Sequence, residues 1–284
     1  MPKHTYKRYV RSEKPPGPLR IQPRDLALLN NLASYRFLNT EQILALHAGG
    51  MRNTQKRLRY LYHLGYLDRP PEQATAGLST YHIVYGLGKK AAELIGGAEE
   101  RAVKTRLGGK VVSPNIAHAL MISQFRTVLT LALKKSGGEI ARWSQGYGLR
   151  DFLKVRGQAP EVVPDAFFEL KFGDDYYYFF LEADRSTMPA HRVLEKLKIY
   201  WEWYRNKTYE KFLNIPSFRV LTITETKERR DSLCRTAKEA DYKKTGSNMF
   251  VFACEKDYSL KKPEAVLQPI WLSAKDGMPH KMME

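Results

Sequence analysis

The sequence predicts a protein of mixed helices and strands, α/β in the broad sense that includes α+β. A helical N-terminal domain ends in a β-hairpin, and a second α/β domain is built on a mixed sheet. The chain has 284 residues, about twice the usual domain size of roughly 100–150 residues, which favours two domains. Its 43% of apolar and 27% of charged residues are typical of a globular protein. Apolar residues recur at helical spacing near the N-terminus, and helix-like and strand-like segments alternate in the C-terminal half.

The charge of the chain is strongly positive and unevenly distributed. Lys and Arg number 47 against 30 Asp and Glu, which gives a net charge of +17 and a pI of about 9.7. Residues 1–110 alone hold 19 basic and 8 acidic side chains. A surplus of this size indicates a polyanionic partner, with nucleic acid as the first candidate, although other basic proteins share such totals.

Cysteine content and hydropathy favour a cytoplasmic protein. Cys234 and Cys254 are too few for a disulfide scaffold or a thiolate zinc cluster. The longest unbroken apolar run, residues 176–181, is far shorter than the roughly 18 residues of a membrane span. The first residues also lack the apolar core of a secretory signal. We therefore expect cytoplasmic localisation and no membrane partner.

The first domain is predicted over residues 21–97, after a flexible basic arm over residues 1–20 in which Lys and Arg are mixed with Pro and Gly. Pro23 is placed to open a first helix whose leucines share one face. Residues 39–42 have the pattern of a cap for a second, short helix. A third helix is expected over about residues 52–64, before a glycine that stops it.

After the third helix, YLDRP and STYHIVYGL alternate like two strands around a loop, and Gly88 begins a further helix. The order helix, helix, helix, strand, strand, helix is that of the winged helix-turn-helix, whose third helix enters the DNA major groove. Polar and basic side chains crowd one side of this helix, and a surface helix with solvated charges is the alternative explanation. The candidate DNA-binding residues are Arg52, Asn53, Gln55, Lys56, Arg59 and His63.

The second domain is predicted over residues 116–258, with a linker over residues 98–115 before it and a C-terminal tail over residues 259–284. It begins with a long helix that a glycine pair ends, and further helices are expected over about residues 189–205 and in ETKERRDSLCRTAKEA. The predicted strands cover residues 140–143, 165–170 and 176–183 and the segments FRVLTIT and MFVFACE. This order of elements predicts a mixed sheet.

Three acidic residues lie at the ends of predicted strands in this domain. Asp165 opens one strand, and Glu182 and Asp184, two apart in an extended segment, point to the same face of the next. Together they could bind Mg²⁺ and so serve as metal ligands and catalytic residues in phosphodiester cleavage. This order of elements, with these acidic positions, resembles the restriction-endonuclease-like fold.

Several short stretches, taken in order, resemble the replication-relaxation proteins of plasmids and other mobile elements. They are LASYRFL with TEQ, RLRYL before Gly65, the Pro–Asp pair at 164–165, LEADRST at 181–187 and KLKIY at 196–200. The resemblance covers about residues 23–225 and implies a DNA-binding protein of a plasmid, phage or other mobile element. The implied role is replication initiation, DNA relaxation or mobilisation. The implied partners are double-stranded DNA and a plasmid replication or transfer protein, and a homodimer stays open.

A missing lysine leaves catalysis by the second domain open. In the restriction-endonuclease-like fold, a lysine usually follows the strand glutamate by two residues, and Asp184 stands there instead. Lys196 or Lys198 on the next helix could return a cation to the site, and Lys196 fits the family pattern better. Lys196 could equally be solvated or pair with Glu182 or Asp184. A Mg²⁺-dependent endonuclease and a transcription regulator therefore remain alternatives to a replication protein that only binds DNA.

Two other kinds of DNA-processing enzyme are disfavoured by the motifs that they require. A relaxase with a metal-bound histidine pair and a nucleophilic tyrosine needs His-x-His, and none of the seven histidines forms that pair. An ATP-driven replication protein needs a glycine loop followed by Lys and Ser or Thr, and the sequence has none.

Overall fold

The computed structural model describes residues 9–14, 17–47, 49–70, 73, 83–95, 106–107, 110–111, 116–153 and 161–284. The chain divides into two compact units, Met1–Thr127 and Val128–Glu284. The division falls within a long helix, whereas the sequence predicts a linker over residues 98–115, most of which lies outside the described residues.

The first unit contains the predicted three helices, strand pair and further helix, together with a short strand between the first two helices that the sequence pattern does not predict. Its elements are α1 (Pro23–Tyr35), β1 (Phe37–Asn39), α2 (Thr40–Leu46), α3 (Met51–His63), β2 (Leu67–Asp68), β3 (Val84–Leu87), α4 (Lys89–Ile95), β4 (Arg106–Leu107), β5 (Lys110–Val111) and the start of α5 (Ile116–Ser136). Strands β1, β3 and β2 form an antiparallel sheet in that order. Most of the loop between β2 and β3 lies outside the described residues.

Local sequence sets where the first two helices begin. Pro23 stands in the first turn of α1, and Asp25 accepts a hydrogen bond from the backbone N–H of Gln22 at 2.7 Å. Helix α2 begins after Asn39, whose side chain accepts from the N–H of Gln42 at 2.9 Å, which confirms the predicted cap. These caps satisfy N–H groups that have no partner inside the helix.

Helix α5 belongs in part to the first unit. Ser123 donates to the carbonyl of Phe37 at 2.7 Å, and the guanidinium of Arg126 donates to the carbonyl of Ser34 at 2.9 Å. These bonds extend the first unit to Thr127, beyond the predicted end at residue 97. Among the described helices, α5 alone is long and apolar enough to cross a membrane by length and composition. Of the apolar stretch of α5, 56% is buried within the protein.

The predicted flexible arm is anchored where the structure describes it. Arg11 donates from Nε to the carbonyl of Tyr62 at 3.0 Å and from Nη2 to the carbonyl of Leu67 at 2.9 Å and to Asp68 at 3.0 Å. Its guanidinium also lies 5.2 Å from the ring centroid of Tyr62. The prediction of a flexible segment is therefore wrong for Arg11, because the bonds that hold it come from residues more than 50 positions later in the sequence.

A buried ion pair fixes α3 against α1. Asp25 is 2% exposed, and Arg57 donates to both of its carboxylate oxygens and to the carbonyl of Arg20. Burial alone would raise the pKa of Asp25, but hydrogen bonds from Arg57 and from the N–H of Gln22 outweigh burial and lower it. The carboxylate is therefore charged at neutral pH, and its partner on α3 cannot turn to solvent without leaving a buried charge.

The second unit is an α/β domain, as predicted. Its elements are the end of α5, β6 (Gly138–Gln145), α6 (Gly146–Leu153), β7 (Ala166–Phe172), β8 (Asp175–Asp184), α7 (Ala190–Arg205), α8 (Thr208–Leu213), β9 (Arg219–Thr224), α9 (Lys227–Ala237), β10 (Phe250–Cys254), β11 (Trp271–Ser273) and β12 (Pro279–His280). The seven strands form one sheet in the order β12-β11-β10-β9-β8-β7-β6. Strands β8, β9 and β10 run parallel and the other pairs antiparallel, which makes the sheet mixed.

The predicted C-terminal tail over residues 259–284 is part of this sheet. It contributes β11 and β12, and β11 pairs antiparallel with β10. Trp271 is fully buried and donates from Nε1 to the carbonyl of Val266 at 2.9 Å, and Met282 is also fully buried. The prediction of a tail is wrong, because these residues pair in the sheet. The sequence does not reveal the two strands, because strands of three and two residues are too short to show an alternating pattern.

We expect Asp25→Ala to destabilise the protein by about 3 kcal/mol, because it leaves the guanidinium of Arg57 largely buried without its carboxylate. The free energy of unfolding is measured by urea titration followed by far-UV circular dichroism. The control is Glu93→Ala, which removes an exposed ion pair with Lys89 on α4 and should cost less than about 0.5 kcal/mol. Equal losses in the two variants would contradict the structural role of the buried pair.

Candidate functional site

The outward side of α3 carries a group of polar and basic side chains, which we call the α3 face. It consists of Arg52, Asn53, Gln55, Lys56 and Arg59, and all five are exposed. Their spacing along the helix separates them from Leu58, Leu61 and Tyr62, which are at most 2% exposed and pack in the core of the first unit. Within the described part of the chain, no carboxylate pairs with the three cations of this face. The α3 face is therefore a positive surface whose charge no described carboxylate neutralises through an ion pair.

His63, the sixth predicted DNA-binding residue, does not belong to the α3 face. Its side chain is 6% exposed, and its Nδ1 accepts a hydrogen bond from the backbone N–H of Ser12 at 3.1 Å. Burial, with the nearby cations Arg69 and Arg59, lowers its pKa, so the ring is neutral at neutral pH. The structure corrects this prediction, because the N-terminal segment around Ser12 covers a position that the helical pattern leaves outside.

Two acidic residues of the second unit are neighbours across a strand pair. Strands β7 and β8 pair with Ala166 opposite Leu181, which places Asp165 beside Glu182. The N–H of Asp165 donates to the carbonyl of Leu181 at 3.0 Å, and the N–H of Ala183 donates to Oδ2 of Asp165 at 2.8 Å. The backbone of β8 thus holds Asp165 by bonds on both sides of Glu182.

Helix α7 supplies the partners of Glu182, which is 8% exposed. Nζ of Lys196 donates to Oε2 of Glu182, and the hydroxyl of Tyr200 donates to Oε1. The lysine and the tyrosine leave the helix on the same side because they are four residues apart. Of the two lysines considered from the sequence, Lys196 reaches the glutamate and Lys198 is exposed. We call Asp165, Glu182, Lys196 and Tyr200 the buried cluster.

Burial dominates the electrostatics of the buried cluster. It raises the pKa of Glu182 to about 7, against the opposing charge of Lys196 and with a further increase from Asp165. Burial alone would lower the pKa of Lys196, but the charges of Glu182 and Asp165 outweigh it and raise that pKa. Burial and then Glu182 raise the pKa of Tyr200 well above its usual value. At neutral pH, a charged lysine and a neutral tyrosine therefore face a partly protonated carboxyl group.

Asp184, the third predicted metal ligand, is held by another partner. Arg229 of α9 donates from Nε to Oδ1 at 2.8 Å and from Nη2 to Oδ2 at 2.9 Å, and the N–H of Ser186 donates to Oδ1 at 2.9 Å. This bidentate pair occupies the carboxylate oxygens that a metal would need. Among the described residues, no group of three His, Cys, Asp or Glu side chains could hold a metal ion. The structure thus does not bring Asp184 into one ligand set with Asp165 and Glu182.

Two of the predicted ligands, Asp165 and Glu182, remain adjacent and are of the donor type that Mg²⁺ prefers, but both oxygens of Glu182 already accept hydrogen bonds, from Lys196 and Tyr200. Asp165 and Glu182 are adjacent carboxyl groups, and Mg²⁺ is commonly held by one or two carboxylates together with waters and phosphate oxygens. Tyr200, the last residue of the KLKIY stretch, and Arg229 belong to this region but are not among the predicted site residues. The spacing of four between Lys196 and Tyr200 could have indicated Tyr200, whereas no local pattern connects Arg229 with its carboxylate.

Fold and site together define a two-unit α/β protein with a basic helix face in one unit and a buried Asp–Glu–Lys cluster in the other. The chain belongs to the replication-relaxation family, whose model matches residues 29–215. This range contains both the α3 face and the buried cluster. Family membership suggests a role in replication or relaxation. No curated protein matches the sequence.

Solved structures with weak similarity include two of the restriction endonuclease FokI. The free enzyme matches at 12% identity with a TM-score of 0.31, and the match covers 85% of this chain and 43% of FokI. The DNA-bound enzyme matches at 13% identity with a TM-score of 0.29, over 85% of this chain and 44% of FokI. The chain thus spans less than half the length of these proteins, and similarity at this level carries no argument about activity.

The raised pKa of Glu182 makes stability depend on pH. Below about pH 4.5 the carboxyl group is protonated in the folded and unfolded states. Between that value and about pH 7 the carboxyl group is ionised in the unfolded state but still protonated in the folded state. The free energy of unfolding therefore falls as the pH rises through this range. We expect wild type to lose about 3 kcal/mol relative to Glu182→Gln across this window.

Urea titrations at several pH values measure this difference through tryptophan fluorescence, because all four tryptophans lie in the second unit. At low pH, the difference in the free energy of unfolding between wild type and Glu182→Gln reports the altered hydrogen bonds. The change of this difference with pH reports the ionisation of Glu182. Glu195→Gln, which changes an exposed carboxyl group on α7, is the control and should run parallel to wild type. A difference that does not vary with pH would show that Glu182 has an ordinary pKa.

Proposed function

We propose that the protein binds double-stranded DNA through the α3 face and that its first unit is a winged helix-turn-helix. The proposal depends on one observation, the separation on α3 of a buried apolar side from an exposed side whose cations pair with no described carboxylate. In a winged helix the third helix lies in the major groove, where Arg, Gln and Asn can bond base edges and Lys contacts phosphate. The order α1, α2, α3 and then the hairpin β2–β3 supports this assignment.

The replication-relaxation family supports a setting for this binding. The protein is proposed to act in the cytoplasm on DNA of a plasmid, phage or other mobile element, in replication initiation, relaxation or mobilisation. A replication or transfer protein, or a second copy of the chain, would be its protein partner. Phosphate neutralisation would drive association, because each contact releases counterions and makes the affinity depend on salt.

We expect the double variant Lys56→Ala/Arg59→Ala to bind a duplex oligonucleotide about tenfold more weakly or worse, because it removes from the α3 face two cations that pair with no described carboxylate. Fluorescence anisotropy with a labelled random-sequence duplex measures the affinity at several salt concentrations. The slope of log affinity against log salt should fall by about 1–2 in magnitude.

The control for this experiment removes the same charge elsewhere. Lys261 and Lys262 are exposed lysines of the second unit, and Lys261→Ala/Lys262→Ala should bind duplex DNA nearly as wild type does. If both double variants lose the same affinity, binding follows total charge, and the α3 face is not the interface.

The buried cluster supports a second candidate function, Mg²⁺-dependent cleavage of a phosphodiester. The observation in its favour is the convergence of Asp165, Glu182 and Lys196, two oxygen donors with a neighbouring amine. Mg²⁺, when held by the two carboxyl groups, would polarise the scissile phosphate. The charged amine of Lys196 would stabilise negative charge on that phosphate, and Tyr200 would keep Glu182 in place by its hydrogen bond.

A plasmid assay tests this second function. Supercoiled plasmid incubated with Mg²⁺ should be nicked by wild type, and nicking should disappear in Asp165→Asn and in Lys196→Met. Lys198→Met changes an exposed lysine on the same helix and should nick normally. Intact plasmid with wild type in Mg²⁺ and in Mn²⁺ would reject the enzyme and leave the DNA-binding role, whereas nicking that survives in Asp165→Asn would place the chemistry elsewhere.

A further inference from the structure

A second surface with the chemistry of a nucleic-acid contact lies on the second unit, at the end of α7, on α8 and on the loop 241–246. We call it the aromatic surface. It consists of Trp201, Tyr204, Arg205, Lys207, Lys211, Tyr242, Lys243 and Lys244. Neither the α3 face nor the buried cluster includes any of these residues.

Tyr242 presents a ring that the fold holds in the solvent. Its side chain is 68% exposed, the largest fraction among the exposed large apolar and aromatic side chains of the described residues. The guanidinium of Arg205 lies 4.8 Å from the ring centroid. The preceding residue, Asp241, is buried and accepts hydrogen bonds from the N–H of Thr245 at 3.0 Å and from its hydroxyl at 3.1 Å. The loop is therefore anchored, and the exposed ring needs little further ordering to receive a partner.

Tyr204, the residue before Arg205, adds a second exposed ring. Its side chain is 41% exposed, and its ring lies nearly parallel to those of Trp201 and Tyr209, with centroid distances of 6.1 Å and 6.0 Å. Of the described aromatic side chains that are exposed, two lie on this surface and the third, Tyr176, is on the hairpin between β7 and β8. Two exposed rings, one on the residue before Arg205 and one beside its guanidinium, indicate a contact site for a flat ligand when they accompany the partly exposed Trp201.

The charge around these rings is positive. The surface holds five cations, and the same segments carry three carboxylates. Asp241 is the buried one of these, Glu202 pairs with Arg205 at 2.8 Å, and Glu210 pairs with Lys207 at 3.2 Å. Lys243 and Lys244, next to the most exposed ring, are both exposed. Cations that flank solvent-facing rings complement a chain of phosphates that carries accessible bases.

We propose that the aromatic surface binds single-stranded DNA. Bases in a duplex are stacked on one another and offer no face to a protein ring, whereas the splayed bases of a single strand can stack on the solvent-exposed parts of the Tyr204 and Tyr242 rings. The guanidinium of Arg205 lies over the ring of Tyr242, and the lysines contact the phosphates. Such binding tolerates any sequence, because every base offers a π-face. The proposal does not depend on the role of α3.

Binding of a fluorescein-labelled oligo(dT) to the full chain tests the proposal by anisotropy. We expect Tyr204→Ala/Tyr242→Ala to weaken binding by about tenfold or more, and Tyr242→Phe, which keeps the ring, to bind as wild type does. Tyr176→Ala, at the exposed tyrosine away from the surface, is the matched control. Circular dichroism verifies that each variant is folded.

Two further arms separate this surface from the α3 face and from a merely cationic patch. Lys56→Ala/Arg59→Ala should bind oligo(dT) normally, and Tyr204→Ala/Tyr242→Ala should bind a blunt duplex normally. Failure of the α3 proposal would change the duplex result alone. The single-strand proposal is overturned if the double tyrosine variant binds oligo(dT) as tightly as wild type does or loses no more than Tyr176→Ala. It is also overturned if an acidic peptide binds as tightly with the same dependence on the two rings.

Discussion

The buried carboxyl group of Glu182 is the constraint around which the second unit is arranged. A charge at this depth costs several kcal/mol unless it is paired, so the helix that covers the sheet must supply partners. Lys196 and Tyr200 of α7 do so, and the same helix packs Tyr200 and Trp203 on Phe180 with ring centroids 5.4 and 5.9 Å from it. Polar and apolar contacts thus fix α7 in one position. A substitution at Glu182 therefore changes the core and the cluster together.

In the first unit, the requirement that a buried charge be paired separates the basic side chains of α3 into two groups. Arg57 points inward and forms an ion pair with Asp25, whereas Arg52, Lys56 and Arg59 are exposed to solvent. The inward pair fixes the rotation of α3 about its axis, and the rotation determines which cations reach a ligand. An arginine that contacts no DNA would therefore still set the geometry of the proposed interface.

Patterns of local spacing predicted much of the structure. The helical period of apolar residues located α3 and α7, the cap at Asn39 located α2, and the strand predicted over residues 176–183 corresponds to β8. Interactions between distant residues were not predictable in this way. The partner of Asp184 is 45 positions away, and the backbone that covers His63 is 51 positions away. The short strands β1, β11 and β12 gave no alternating signal because each has only two or three residues.

The strand order of the large sheet has a consequence for how the protein is made. From β6 to β12, each strand lies beside the strand that precedes it in the chain, so a ribosome releases the strands in the order in which they pair. The nascent sheet always ends in one open edge. That edge is most hazardous after β10 emerges, because all five residues of this strand are buried in the finished protein. Any delay between the emergence of β10 and the emergence of β11 from the ribosome would leave this edge uncovered and favour aggregation of incomplete chains.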